Sequence, residues 1–142
     1  MRIEKTETEQ TEQKKKGASK GIHIMLDCRG CNNNIDDFKA VYEFLKQTPE
    51  EIGMSIMRPP VVFIHDAKHE KNRGISGFTL LSESHISFHA YPERDSSTFI
   101  DVFSCSRFSV GKVIALVKEW FSPAKITKWV IDRGVNSKDK RK

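Results

Sequence analysis

Cysteine is scarce in this chain, and the three present, Cys28, Cys31 and Cys105, are an odd number. An odd count with no sign of secretion speaks against a disulfide framework. Cys28-x-x-Cys31 has the spacing of half a zinc site, but no second pair supplies the other two ligands, so no metal centre is expected. Long apolar runs are also missing, and nothing approaches the roughly 20 residues needed to cross a bilayer. The first twenty residues lack the apolar core of a secretory signal, which points to the cytoplasm. There is no GxGxxG and no P-loop, so no nucleotide-phosphate cradle is expected. The net charge of +5 comes largely from Lys14, Lys15 and Lys16 and from Lys138, Lys140, Arg141 and Lys142. These charges lie in polar ends and do not alternate with aromatic residues, so they predict solvated tails and not a nucleic-acid surface.

The 142 residues suit one domain. Residues 1–20 read as a disordered polar tail, residues 21–133 as the domain, and residues 134–142 as a basic tail. Alternation in Gly21–Asp27 predicts a first strand. Asn34 is the expected N-cap of a helix over Ile35–Gln47, with Ile35, Phe38, Val41, Tyr42 and Leu45 as its apolar stripe and Thr48-Pro49 as its stop. Met54–Met57 and Val61–Ile64 read as short extended pieces broken by Pro59-Pro60. Ala67–Arg73 is polar and predicts a mobile loop. Three strands follow, at Gly74–Leu81, His85–Tyr91 and Thr98–Cys105. Ser109 caps a helix over Val110–Phe121, and Lys125–Asp132 is a last strand. Each helix has one apolar stripe. The economical fold is therefore α+β: a two-layer α/β sandwich with a mainly antiparallel sheet and two helices on one face.

Reactive side chains concentrate in residues 74–105. Strand alternation puts His85, Ser87, His89 and Tyr91 on one face and Ile86, Phe88 and Ala90 on the other. From the residues alone, a surface strand with two ordinary histidines remains open, and Cys105 reads more readily as a small buried strand residue.

The segment LLSESHISFHAYPE, with GISG before it and DVFSC after it, closely resembles the S-adenosylmethionine decarboxylase proenzymes of the prokaryotic, small-chain type. The resemblance implies a chain that cuts itself between Glu83 and Ser84, giving residues 1–83 and 84–142. Ser84 becomes a pyruvoyl group, the cofactor, whose carbonyl takes the substrate amine as a Schiff base. Ser76 and His89 match residues that assist processing, and Cys105 matches the catalytic proton donor. Tyr91 and Glu93 match substrate-binding positions for the adenine and the ribose. The same resemblance implies a homodimer with sites at or near its interface, and a product destined for spermidine synthesis. The chain departs from the family pattern in having Ala90 for the usual threonine and no aromatic within residues 67–73. Arginine or ornithine therefore stand as alternative substrates, and an unprocessed regulatory paralogue as a different kind of protein.

Overall fold

The computed structural model describes residues 21–66 and 72–134. The expected tails over 1–20 and 135–142, and residues 67–71 of the expected mobile loop, lie outside the described residues. The elements are β1 (Gly21–Arg29), a 3-10 helix (Asn33–Asp36), α1 (Phe38–Glu51), β2 (Val61–His65), β3 (Gly74–Leu80), β4 (Ser84–Tyr91), β5 (Ser97–Ser104), α2 (Val110–Phe121) and β6 (Lys125–Arg133). They form one six-stranded sheet in the order β2-β3-β4-β5-β1-β6, antiparallel at every pairing. This is the α+β sandwich that the periodicity predicts.

Alternation decides the two faces. Ile22, Ile24, Leu26 and Cys28 of β1, Ile86, Phe88 and Ala90 of β4, and Ile100 and Val102 of β5 are buried in one core with both helices. Phe121 of α2 packs against Phe44 of α1 at 4.9 Å and Phe88 of β4 at 5.4 Å between ring centroids, joining both layers. Ser109 Oγ accepts from Lys112 N–H at 3.1 Å, the cap the sequence predicts for α2.

The first helix differs from its expectation at both ends. Asn34 does not cap it. Asn32 caps a short 3-10 helix, and Asp37 then caps α1, its Oδ1 accepting from Lys39 and Ala40 N–H at 3.0 and 3.2 Å. This phase buries Val41, Phe44, Leu45 and Thr48, while Phe38 stays exposed in the first turn. At the other end α1 runs through Pro49. A proline there cannot donate to the carbonyl of Leu45, four residues back. That carbonyl instead accepts from the buried Thr79 hydroxyl of β3 at 2.9 Å, so the helix loses a donor without leaving an orphan acceptor. The expected strand over Met54–Met57 is reduced to one bridge, Ile56 to Leu81.

Strands β3 and β4 approach closely at Gly74, where an added Cβ would lie 1.9 Å from the carbonyl oxygen of Ala90. Backbone cannot yield there as a flexible side chain would. Gly74→Ala is expected to destabilise the domain by about 3 kcal/mol or more, the upper end for overpacking, read as a lowered urea midpoint.

Candidate functional site

The hairpin between β3 and β4 is closed by two backbone bonds, Leu81 N–H to Ser84 O at 2.8 Å and Ser84 N–H to Leu81 O at 3.2 Å. Only Ser82 and Glu83 lie between these residues. Two-residue hairpins usually take positive φ, but the non-glycine positive-φ residues of the described chain are Asp95, Ser96 and Ser122. The turn is tight without left-handed backbone, so the strain expected of it is not of that kind.

A second segment braces this turn. Ser82 N–H donates to Ser55 O at 2.9 Å, Met57 N–H to Leu80 O at 3.0 Å, and Ser55 N–H reaches Glu83 Oε1 at 3.4 Å. From the far end of β5, the backbone N–H of Cys105 donates to the carbonyl oxygen of Glu83 at 3.1 Å. Ser84 Oγ lies 3.9 Å from Cys105 Sγ. The carbonyl before Ser84 is thus held by an amide, next to a hydroxyl and a thiol. Cys105 is exposed.

Ser76 and His89 are directly opposite each other across β3 and β4, with Ser76 Oγ 3.0 Å from His89 Nδ1. The structure therefore forms two pairs, Ser84 with Cys105 and Ser76 with His89, but it does not bring the pairs together. Ser84 and His89 are five residues apart on β4, about 17 Å along an extended strand, and alternation sends their side chains to opposite faces. Strand β4 is paired on both sides, with β3 and β5, so His89 cannot swing round without unzipping the sheet.

The face carrying His85, Ser87, His89 and Tyr91 has no helix over it. By register it also holds Phe63, Phe78, Leu80 and Phe99, all exposed large side chains. His85 sits there at 6.4 Å from His23 and 5.8 Å from Phe103, centroid to centroid. Burial, and then the neighbouring His23, lower the His85 pKa from its ordinary value. Tyr91 has the guanidinium of Arg94 5.0 Å from its ring centroid, and Phe99 packs edge-on at 5.8 Å. Arg94 also bonds the side chain of Asn72.

Glu93 is not a lone rim charge. Arg73 Nη2 donates to Glu93 Oε2 at 3.1 Å, while the same guanidinium grips both oxygens of Asp36 at 3.0 and 2.8 Å. Sequence reasoning missed Arg73 and Asp36 because a pair 37 residues apart leaves no local pattern. It also missed the Cys105 amide, because backbone groups carry no sequence signal. Cys28 is buried on β1, and burial pushes its thiol pKa up to about 12, with Cys31 and Asp27 adding to the shift. Cys31 is raised by burial to about 11. Both thiols are therefore poor nucleophiles at neutral pH. Among the described residues no cluster of His, Cys, Asp and Glu is arranged to hold a metal, and no helix is long and apolar enough to cross a membrane.

A two-layer sandwich with a hydroxyl and a thiol 3.9 Å apart at a hairpin tip defines an α+β protein whose candidate site lies at the end of its sheet. The chain belongs to the S-adenosylmethionine decarboxylase family, whose model matches residues 22–134. It is 34% identical over 101 residues to an S-adenosylmethionine decarboxylase proenzyme of Clostridium botulinum (strain Loch Maree / Type A3), covering 70% of this chain and 81% of that protein. A proenzyme of the same description from Thermomicrobium roseum is 31% identical over 118 residues, 82% of this chain and 96% of the relative. The crystal structure of the adenosylmethionine decarboxylase from Aquifex aeolicus superposes with a TM-score of 0.70 at 25% identity, over 82% of this chain and 92% of that one.

Proposed function

We propose that the chain is a proenzyme that cuts itself between Glu83 and Ser84 and then, as a pyruvoyl enzyme, decarboxylates S-adenosylmethionine for spermidine synthesis in the cytoplasm. Family membership supports the substrate class. The observation that carries the self-cleavage is the Glu83 carbonyl, held by the Cys105 amide at 3.1 Å beside the Ser84 hydroxyl.

The Ser84 hydroxyl attacks that carbonyl, the acyl group passes from nitrogen to oxygen, and an ester replaces the peptide bond. Negative charge gathers on the Glu83 oxygen during the attack, and an amide already aimed at it needs no reorganisation. In this reading the Cys105 amide makes the oxyanion contact, while Ser76 lies beside His89. Removal of the Ser84 α-proton then expels the Glu83 carboxylate, and hydrolysis of the resulting dehydroalanine leaves the pyruvoyl group and ammonia.

His89 is the base in this scheme. It serves only in the tautomer whose Nδ1–H donates to Ser76 Oγ, leaving the Nε2 lone pair free. Since His89 is about 17 Å from Ser84 along its own strand, the site is completed by a second copy. The uncovered face, with Phe63, Phe78, Leu80 and Phe99, supplies the apolar area for such a two-fold dimer.

The pyruvoyl group supplies a carbonyl that captures the substrate amine and an electron sink for the departing carbon dioxide. Cys105 returns a proton to the substrate α-carbon. Tyr91 and Glu93 hold the nucleoside end.

The test is the intact mass of the purified chain under denaturing conditions, followed by carbon dioxide release from S-adenosylmethionine. Two fragments, residues 1–83 and a blocked 84–142, are expected; one stable unmodified chain would refute the reading. Cys105→Ala separates the two roles of that residue. It keeps the backbone amide, so cleavage should proceed at least in part, while turnover falls about 10²-fold or more for want of the acid. Full activity with the normal product would remove Cys105 from the chemistry.

A further inference from the structure

Arg73 is the last residue before β3, and the neighbouring Gly74 lies so close to Ala90 that no side chain fits between the strands. This close approach fixes the Arg73 backbone relative to the end of β4, where the turn carrying Glu93 begins. From the other side, Asp36 of the 3-10 helix takes the fork of Arg73 with both carboxylate oxygens. One guanidinium therefore ties together the 3-10 helix, the start of β3 and the turn after β4. Its two carboxylate partners raise its pKa further above its already high ordinary value.

Glu93 meets Arg73 through Oε2 only. Among the described residues no bond to Oε1 is formed, and the Glu93 side chain is half-exposed. A carboxylate anchored through one oxygen still offers its second oxygen, which can accept from a hydroxyl of a ribose. The bidentate grip of Arg73 on Asp36, shared with Glu93 in one network, distinguishes this arrangement from an isolated surface pair.

We infer that Arg73 is a positioning residue for substrate binding: it orients Glu93, and Asp36 orients it in turn. The inference rests on the reading of Glu93 as part of the nucleoside subsite. Arg73 touches neither the reacting bond nor the Ser84 hairpin, so its loss should act on substrate affinity and spare the chemical step.

The experiment is a double-mutant cycle on processed enzyme, with KM and kcat for S-adenosylmethionine measured for Arg73→Met, Glu93→Gln and the double variant. Each single change is expected to raise KM about tenfold, the worth of one charge-assisted hydrogen bond, with kcat within about twofold. The double variant should be no worse than Glu93→Gln alone, since both changes remove one function. If Glu93→Gln raises KM but Arg73→Met does not, or if the two effects multiply, Arg73 does not act through Glu93 and the inference fails while the subsite reading stands. If Glu93→Gln leaves KM unchanged, the subsite reading fails and the inference with it. Should Arg73→Met not fold or process, Arg73→Lys enters the same cycle, keeping the charge but not the fork. A purely structural role would lower melting temperature and processing yield without this pattern in KM.

Discussion

Ser84→Ala is expected to leave a single chain of 142 residues with no decarboxylase activity. The change removes one oxygen from the hairpin tip and little else. The turn is closed by backbone bonds between Leu81 and Ser84, and the bracing by Ser55 and the Cys105 amide also leaves the Ser84 side chain unused. The fold should therefore persist, with an unfolding midpoint close to that of the parent chain. What disappears is the nucleophile for the acyl shift and, with it, the leaving group whose elimination gives the dehydroalanine that becomes the pyruvoyl group. Without that electron sink there is no residual route, so the loss is total and not the 10²–10⁴-fold typical of a missing general acid or base. Intact mass and a carbon dioxide assay read both consequences. Fragments, or carbon dioxide above the uncatalysed rate, would sink the assignment of Ser84.

His89→Ala has the second largest expected effect and a more informative failure. The acyl shift needs Ser84, Glu83 and the Cys105 amide, all of which this variant retains, so the ester should form. Its elimination lacks a base and should slow about 10²–10⁴-fold. The stalled ester is recognisable because hydroxylamine cuts it between Glu83 and Ser84 while leaving ordinary peptide bonds intact. A normal yield of pyruvoyl would remove His89 from this step. The two changes together also test the dimer. Coexpressed Ser84→Ala and His89→Ala chains should cut part of the His89→Ala population, because a mixed dimer holds one site with a complete set of residues. If the mixture stays uncut while each parent remains dimeric, the second copy does not complete the site. A companion change on the open face, Phe78→Asp, should convert dimer to monomer in sedimentation, since a buried unpaired carboxylate is costly.

Much of this architecture is written locally. Alternation in residues 85–91 assigns Ile86, Phe88 and Ala90 to the core and His85, Ser87, His89 and Tyr91 to the other face, and burial agrees. The period of Val110, Val113, Ile114 and Val117 marks α2, whose described range matches the sequence reading residue for residue. The sandwich follows, because two one-sided helices and a one-sided sheet have one economical way to hide their apolar surfaces. The residues of the family motif are equally legible as a list.

What they do together is not. Pro49 signals a helix stop, and only the hydroxyl of Thr79, brought alongside by β3, explains why the helix continues. The spacing of five between Ser84 and His89 suggests partners, and only an extended backbone makes that spacing a separation of about 17 Å on opposite faces. Register across β3 and β4 chose Ser76 as the neighbour of His89, and the far end of β5 delivered the Cys105 amide to the Glu83 carbonyl. The bridge from Asp36 through Arg73 to Glu93 joins residues whose order along the chain says nothing of their meeting. By itself the sequence determined the elements, the faces and the inventory of reactive groups, because these follow from periodicity and chemistry within a few residues. The tertiary structure alone decided which groups share a site, because contact between distant segments depends on strand order, register and the close approach of backbones.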